Sequence, residues 1–213
     1  MDTLVIVLII VIIVLIYFLY RTSKKASTNN KTTLYNLNTN TATVNSADLT
    51  NPKSQRFSYS AWIFVNSWNN TIQKNIYKNS SGLISLDLAA SIPTLSTRIG
   101  TSPPTDITIT QNFPIQKWVY VVISVDSQTV DCYLDGKLLK STQLSVPPTL
   151  FDNYSISFGT FDAYVTGFKY EATPLNPQQV WSNYMAGNGY AGGKFGVNVA
   201  LTKDDAVVSQ ISY

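Results

Sequence analysis

From Arg56 onward, apolar and polar residues alternate in short runs separated by turn residues, which is the pattern of β-strands. The run Phe57–Val65 becomes apolar on both faces, as expected of a strand at the centre of a sheet. The most apolar run, Trp118–Val125, predicts a second buried strand. Further strands are predicted at residues 75–78, 83–88, 94–99, 106–110, 129–134, 137–144, 154–158 and 164–171. Many short strands with almost no helix predict an all-β fold, an antiparallel sandwich.

One short helix is predicted near the end of this region. Asn176 is a suitable N-cap, Pro177 suits the first helical position, and Gln179 can complete a capping box. The apolar residues that follow at helical spacing are Val180, Trp181 and Tyr184, and Gly187 or Gly189 ends the helix.

Two hairpins are predicted as well. Asp135-Gly136 lies between two strand runs, and both residues of such a two-residue turn need positive φ. Alternation at Phe195–Leu201 and Ala206–Ile211 predicts a C-terminal hairpin that either extends the sheet or reaches a neighbouring subunit.

The segment Leu4–Tyr20 is an uninterrupted run of seventeen apolar or aromatic residues and predicts a single transmembrane α-helix. At ~1.5 Å per residue it covers roughly 26 Å, close to the ~30 Å hydrocarbon core of a bilayer. The residues taken to represent this membrane anchor are Leu4, Ile10, Ile16 and Tyr20. The alternative is a cleaved signal peptide, but residues 1–3 carry no positive charge and no small-residue cleavage site follows.

Charges beside this segment predict which side of the membrane the rest of the chain occupies. Arg21, Lys24 and Lys25 follow the apolar run, and lysine and arginine are retained on the cytoplasmic flank. A single cysteine, Cys132, also excludes an intramolecular disulfide. Four Asn-x-Ser/Thr sequons argue for the lumenal side instead: they begin at Asn30, Asn69, Asn79 and Asn153. The favoured prediction is a single-pass membrane protein with its C-terminal domain on the cytoplasmic face.

Four parts are predicted along the chain: a membrane anchor with its basic flank (1–25), a polar linker (26–52), the sandwich (53–190) and a C-terminal β-hairpin extension (191–213). The linker is polar and of low complexity, which is typical of a spacer between bilayer and domain. The alternative is that Leu34–Leu37 or Thr43–Asn45 pairs with the sandwich.

The composition narrows the classes of partner that can be predicted for this chain. Only 13% of the 213 residues are charged and the net charge is +3, much of it beside the anchor, so nucleic acid is not predicted as a partner. The surface must then be covered largely by Asn, Ser, Thr, Gln and Tyr. Such a surface suits packing against other proteins, and glycan-binding surfaces are similar.

Three stretches resemble laminin-G-like, concanavalin-A-like jelly-roll domains: Phe57–Val65 (FSYSAWIFV), Lys117–Leu139 and Ile156–Asn188. They are similar, in this order, to the family's early Trp-bearing strand, its Trp strand with the following hairpin, and its closing strand and helix. The resemblance covers roughly residues 53–190, about two thirds of the chain. It implies an antiparallel jelly roll and leaves function open, because lectins, hydrolases and scaffolds share this fold.

Glycosidases of this fold use a pair of carboxylates, commonly two glutamates on one strand. Glu171 is the only glutamate here, and the chain has no histidine. Asp131 with Asp135 is the best remaining pair, but both fall on the predicted hairpin, where a solvated turn carboxylate is expected. Cys132 lies mid-strand without a histidine to activate it. The chain is therefore predicted not to be an enzyme.

The resemblance also leaves a Ca²⁺ site as an alternative. Laminin-G-like domains often hold one Ca²⁺ at a rim loop, and the weak candidates here are Asp126, Asp152 and Asp162. Because no acid-rich ligand run is present, no metal or other cofactor is predicted.

A glycan or partner contact has one candidate, the loop residues Trp68, Asn69 and Asn70, because sugar sites combine exposed aromatics with amide side chains. The alternative is a rim tryptophan that only covers the edge of the core.

Two functions follow from these observations. A laminin-G-like domain on a short N-terminal anchor resembles virion proteins of the large icosahedral DNA viruses, in which an inner membrane lies beneath a capsid shell. This resemblance implies a non-enzymatic minor capsid protein, with the lipid bilayer and other capsid proteins as partners. The domain would then lie between inner membrane and shell. The alternative is a membrane-anchored lectin-like adhesion domain that binds glycans.

Overall fold

The structure, a computed structural model, describes residues 34–39, 43–101, 103–150, 153–188, 198–203 and 206–212, together with Ile12 and Val14. These residues form an all-β, two-sheet antiparallel sandwich of jelly-roll type with one short helix, as predicted. The strands in chain order are β1 (Tyr35–Asn36), β2 (Thr43–Asn45), β3 (Arg56–Val65), β4 (Lys74–Asn79), β5 (Ile84–Leu88), β6 (Leu95–Ile99), β7 (Thr105–Thr110), β8 (Trp118–Asp126), β9 (Thr129–Leu134), β10 (Lys137–Gln143), β11 (Ser155–Phe158), β12 (Ala163–Glu171), β13 (Asn198–Lys203) and β14 (Ala206–Ser212).

Each layer of the sandwich is one six-stranded sheet. Sheet one has the order β1-β12-β3-β8-β9-β10, and sheet two has the order β2-β11-β4-β5-β6-β7. All neighbouring strands are antiparallel. The long edge strands β10 and β7 contact each other along one side of the sandwich, and the short strands β1 and β2 form the edges at the other.

The core fills the space between the sheets. Because alternate residues of a strand point to opposite faces, β3 sends Phe57, Tyr59 and Ile63 inward, all nearly inaccessible to solvent. Tyr59 lies against Tyr77 of sheet two, with ring centroids 5.8 Å apart. Burial raises the pKa of the Tyr59 phenol well above its usual range, so the ring stays neutral.

Part of the predicted linker belongs to the sandwich. β1 pairs with β12, and β2 pairs with β11, which is the arrangement left open as an alternative for these residues. Leu37, Val44 and Leu49 are buried in the main core. A 3₁₀ turn at Ser46–Asp48 follows β2. The segment therefore closes the sandwich from residue 35 onward.

The predicted helix, α1 (Pro177–Met185), is confirmed together with its start. The Asn176 side chain accepts a 2.9 Å hydrogen bond from the Gln179 backbone N–H, and Gln179 Oε1 accepts a 3.0 Å bond from the Asn176 N–H. This reciprocal pair is a capping box. Val180 is fully buried and fixes the helix on the outer face of sheet one.

Both predicted hairpins are also present. Asp135 and Gly136 have φ of 48° and 78°, as a two-residue hairpin between β9 and β10 requires. At the C-terminus, β13 and β14 pair with each other in a separate two-stranded sheet, with Val199 opposite Ile211. In the described part of the chain this hairpin extends neither main sheet.

Of the predicted anchor Leu4–Tyr20, only Ile12 and Val14 are among the described residues. Within the described residues, no helix combines the length and the apolar character needed to cross a membrane. The anchor residues and their basic flank lie outside the described residues: Leu4, Ile10, Ile16, Tyr20, Arg21, Lys24 and Lys25.

Candidate functional site

The outer face of sheet one carries a row of three aromatic side chains. Tyr164 of β12, Phe64 of β3 and Trp118 of β8 lie opposite one another in register. Ring centroids are 6.3 Å apart for Phe64 and Tyr164 and 5.5 Å apart for Phe64 and Trp118. All three side chains are half-buried, so their remaining surface faces solvent. These residues are called the aromatic row.

Helix α1 covers the neighbouring part of the same face. Trp62 stacks on Tyr184 at a centroid distance of 5.6 Å and lies 5.1 Å from Tyr120. These rings and Val180 form a second apolar cluster, separate from the main core. The helix therefore explains why β3 and β8 are apolar on both faces, since their outward residues are partly covered as well.

Some apolar side chains on the helix and on the strand beside it remain exposed to solvent. Trp181 and Met185 of α1 are 47% and 65% exposed, and Leu138 and Leu139 of the adjacent edge strand β10 are 50% and 45% exposed. We call these four residues the α1–β10 patch. Together with the aromatic row, it gives the outer face of sheet one an apolar character that is unusual for a solvent-exposed face.

A pocket lies at the rim, beside the predicted contact residues. It has a volume of about 270 Å³ and is lined by Asn38, Ser67, Asn69, Ile72, Lys74, Thr160, Phe161 and Asp162. Trp68 is half-buried against the main core, with the Lys74 ammonium 3.8 Å from its ring centroid. Asn69 and Asn70 are exposed. Of the predicted contact residues, only Asn69 lines the pocket.

Lys74 is a buried lysine, 1% exposed, that holds this rim together. Its Nζ donates to the backbone carbonyls of Asn69, Ile72 and Ala90, the last two at 3.0 and 3.2 Å. Burial lowers the pKa of Lys74, whereas the carbonyl oxygens and the Trp68 ring favour its charged form. The ammonium thus fixes the loop between β3 and β4.

Asp162, a predicted Ca²⁺ candidate, accepts hydrogen bonds at this pocket. Its carboxylate accepts from Ser67 Oγ at 2.5 Å, from Asn66 Nδ2 at 2.9 Å and from Asn38 Nδ2 at 3.1 Å. The bond from Ser67, followed by those from Asn66 and Asn38, lowers the pKa of Asp162. The carboxylate joins three chain segments and presents a polar wall to the pocket.

Asp126 and Asp135, two of the other acidic candidates, each bind a partner of their own. Asp126 forms an ion pair with Arg56, with 2.8 Å between Oδ1 and Nε. Asp135 accepts a 2.9 Å hydrogen bond from the Tyr120 N–H and lies 3.2 Å from Lys117 Nζ, so it fixes the hairpin turn on β8. Asp152 lies outside the described residues. Within the described part of the chain, no three Asp, Glu, Cys or His side chains meet in a group that could hold a metal.

Asp131, Cys132 and Glu171 have separate surroundings. Asp131 lines a 240 Å³ cavity between β8–β9 and the start of α1, and Asp126 lines the same cavity. The Cys132 thiol is fully buried in the main core, and burial raises its pKa to about 12, so it is a poor nucleophile. Glu171 pairs with Lys169 at 2.5 Å.

The outer face of sheet two has a polar groove of about 410 Å³. Asp87 accepts 2.5 Å hydrogen bonds from Asn75 Nδ2 and Ser85 Oγ. Arg98, which also lines the groove, makes a two-pronged pair with Asp106, at 2.7 and 2.9 Å. The groove on sheet two is therefore polar, whereas the aromatic row and the α1–β10 patch make part of the outer face of sheet one apolar.

Sequence reasoning missed the aromatic row and Lys74. The signal for the row was present, because Phe64 and Trp118 belong to runs that are apolar on both faces. Lys74 had no signal of its own, since its charge predicts a solvated position and its partners are backbone carbonyls.

The sequence profile of the concanavalin A-like lectin/glucanase superfamily matches residues 37–181. The chain belongs to this superfamily. Comparison with curated proteins gives no match.

Similar solved structures include binding domains of botulinum neurotoxins. The serotype D/C VPI 5993 binding domain is 15% identical with a TM-score of 0.56, over 76% of this chain and 47% of that chain. The binding domain of neurotoxin DC in complex with rat synaptotagmin II is 17% identical with a TM-score of 0.52, over 62% and 35%. A third structure, from work on the cell entry of botulinum neurotoxin type C and its interaction with two ganglioside molecules, is 14% identical with a TM-score of 0.50, over 62% of this chain and 35% of that chain. This chain thus spans about a third of the first solved chains, and the likeness concerns the fold.

Proposed function

We propose that this chain is a membrane-anchored, non-enzymatic structural protein, a minor capsid protein that ties an inner viral membrane to the capsid shell. The observation that carries the proposal is the apolar outer face of sheet one, formed by the aromatic row and the α1–β10 patch. Aromatic residues and Met are enriched where protein surfaces meet, and charged residues are depleted there. Leu4–Tyr20 would hold the membrane, and the sandwich would face the cytoplasmic side.

Detergent extraction of particles tests the partner. Particles are purified with the wild-type chain or with Leu138→Lys and Met185→Lys, and their membrane is removed with detergent. The wild-type chain should stay with the shell and the double variant should be released, because two charges would be buried at the contact. Ile92→Lys is the matched control, since Ile92 is 53% exposed but lies between β5 and β6 of sheet two. Equal retention of all three chains would contradict the proposal.

Protease protection tests the orientation. In sealed vesicles, a domain on the cytoplasmic face is digested by external protease without detergent. A domain that external protease cannot reach would lie in the lumen, and the capsid-linker proposal would then be wrong.

A lectin-like function is the second candidate, and the rim pocket favours it. The amide of Asn69, the hydroxyl of Ser67 and the carboxylate of Asp162 line it, and such groups can bond sugar hydroxyls. The related neurotoxin domains named above concern a protein receptor and gangliosides, so they suit either candidate and share only their fold with this chain. A glycan array and a Ca²⁺ titration test this function. Binding that is lost in Asn69→Ala, with the fold intact, would support it, and no binding would count against it.

A further inference from the structure

One of the Asn-x-Ser/Thr sequons has its asparagine inside the sandwich. Asn79 ends β4 and is 2% exposed, whereas Asn69 and Asn153, which begin two other sequons, are exposed. An N-linked glycan is attached through the side-chain nitrogen of the asparagine. The three sequons therefore differ in what a glycan would do to the fold.

The surroundings of Asn79 leave no path for a sugar. Its Oδ1 accepts a 2.9 Å hydrogen bond from the Ile84 N–H across the β4–β5 turn. Its Nδ2 is buried and meets no acceptor among the described residues. The next residue, Ser80, is held on β11 by bonds in both directions with Ser155, at 2.8 and 3.1 Å. A glycan on Nδ2 would have to open the β5–β4–β11 part of sheet two.

We infer that Asn79 must remain unmodified for the sandwich to form, so that the domain folds in a compartment without N-glycosylation. The sequon Asn79-Ser80-Ser81 would be offered to the glycosylation machinery before folding if the domain entered the lumen. The cytoplasmic face of a membrane avoids this modification. This inference concerns where the domain folds and holds whichever partner its outer face binds.

Redirecting the full chain to the lumen of microsomes tests the inference. Asp2→Lys and Thr3→Lys, combined with Arg21→Glu, Lys24→Glu and Lys25→Glu, reverse the charge bias across the apolar segment. A cleavable signal peptide in place of residues 1–25 is a second route to the same end. Only molecules with a glycan at Asn69 or Asn153 are scored, because that glycan shows that their domain is lumenal.

The matched control is Ser81→Ala, which removes the sequon and leaves the Asn79 side chain and its bond to Ile84 in place. In the lumen, chains that carry a glycan at Asn79 should be digested by protease after detergent is added, and Ser81→Ala should restore a resistant domain several-fold. A resistant domain with a glycan mapped to Asn79 would overturn the inference. Equal resistant fractions with and without Ser81→Ala would overturn it too.

The test of Asn79 and the test of the proposed function can fail independently of each other. The redirected chains report what a glycan at Asn79 does to folding, whatever the native orientation. The shell-retention experiment uses the native orientation and is silent about Asn79.

Discussion

At the scale of single residues, Lys74 is a buried cation held by several partners at once. It is surrounded by the rim loop, so its ammonium serves as the common donor for three backbone carbonyls. A cation bound by three carbonyl oxygens is satisfied locally, and its removal leaves three part-buried acceptors without their shared donor.

Lys74→Met should therefore lower the free energy of unfolding by about 1–3 kcal/mol, since hydrogen bonds to a charged group contribute ~1.5–3 kcal/mol and water can replace part of what the part-buried carbonyls lose. Urea denaturation measures the effect. Lys78→Met on the same strand is the control, because Lys78 is exposed and its loss should change stability by no more than ~0.5 kcal/mol. Equal effects of the two variants would contradict the role given to Lys74.

Asp162 predicts a dependence of stability on pH. Its pKa is lowered in the folded state by Ser67, Asn66 and Asn38, so its contribution is complete above the unfolded pKa of 3.8 and is lost as pH falls through the lower folded value. The difference in unfolding free energy between wild type and Asp162→Asn should be constant above about pH 5 and should shrink on further acidification. Urea titrations at several pH values measure it. A difference in unfolding free energy that grows as the pH falls would contradict the lowered pKa of Asp162 in the folded state.

At this scale, the sequence predicts a structural feature well when the residues that produce it are neighbours in the chain. The positive φ of Asp135 and Gly136 and the cap of Asn176 follow from neighbouring residues, and both predictions are confirmed. Trp68, Asn69 and Asn70 remain a predicted contact. Asn69 shares a pocket with Asp162, which lies far from it in the chain, so the sequence could not predict that the two residues meet.

At the scale of elements, helix α1 depends on its first turn. Its only buried residue is Val180, so packing contributes through few side chains and the cap carries much of the helix stability.

Asn176→Ala should lower the free energy of unfolding by about 1 kcal/mol, because the Gln179 N–H loses its acceptor. Gln178→Ala, exposed and one position before the capping partner, should be close to neutral. Thermal and urea unfolding of both variants give the comparison. A cap variant as stable as wild type would mean that tertiary packing alone fixes the helix.

The β9–β10 turn and helix α1 meet at Gly136. A methyl group at this position would lie 2.7 Å from Trp181 Cε3, and the backbone there has φ of 78°. Gly136→Ala therefore combines the cost of a left-handed backbone, ~1–2 kcal/mol, with displacement of the indole.

Gly82→Ala isolates the backbone part, because Gly82 has φ of 69° and open space around it. Gly136→Ala should be the more destabilising of the two and should change the Trp fluorescence, whereas Gly82→Ala should not. Adding Trp181→Ala should bring the Gly136→Ala cost close to that of Gly82→Ala. A cost that is unaffected by Trp181→Ala would exclude the predicted clash.

The strands from β3 to β12 could be predicted almost completely, because short runs with period two and clear turn residues carry that information locally, whereas β1 and β2 fall in the predicted linker. Predicted and observed strands differ by a residue or two at their ends, as at Leu83 before β5 and Leu144 after β10. The order of strands within the sheets could not be predicted, since it depends on pairings such as β3 with β12 between residues about a hundred positions apart.

At the scale of the whole molecule, the sandwich includes residues that look like a linker. Leu37, Val44 and Leu49 are buried, and full burial of such side chains contributes roughly 1.5–3 kcal/mol each. The sum is comparable with the whole stability of an ordinary domain, ~5–15 kcal/mol.

A chain that begins at Lys53 should therefore fail to unfold cooperatively, whereas a chain that begins at Leu34 should do so. Leu37→Ala in the full chain should cost about 2–5 kcal/mol by itself. Calorimetry and urea denaturation give both measurements. A cooperative, equally stable chain from Lys53 would show that β1 and β2 are dispensable, and residues 26–52 would then be a linker throughout.

The two N-terminal strands also determine how the domain responds to a pulling force. β1 is two residues long and lies at the edge of sheet one, and β2 lies at the edge of sheet two. Tension applied from the N-terminal side meets β1 before any central strand, and it would peel this strand away before it reaches β3. Each residue released adds ~3.3 Å of length. The edge of the sandwich would thus act as a mechanical reserve that lengthens the chain under tension while the central strands stay paired.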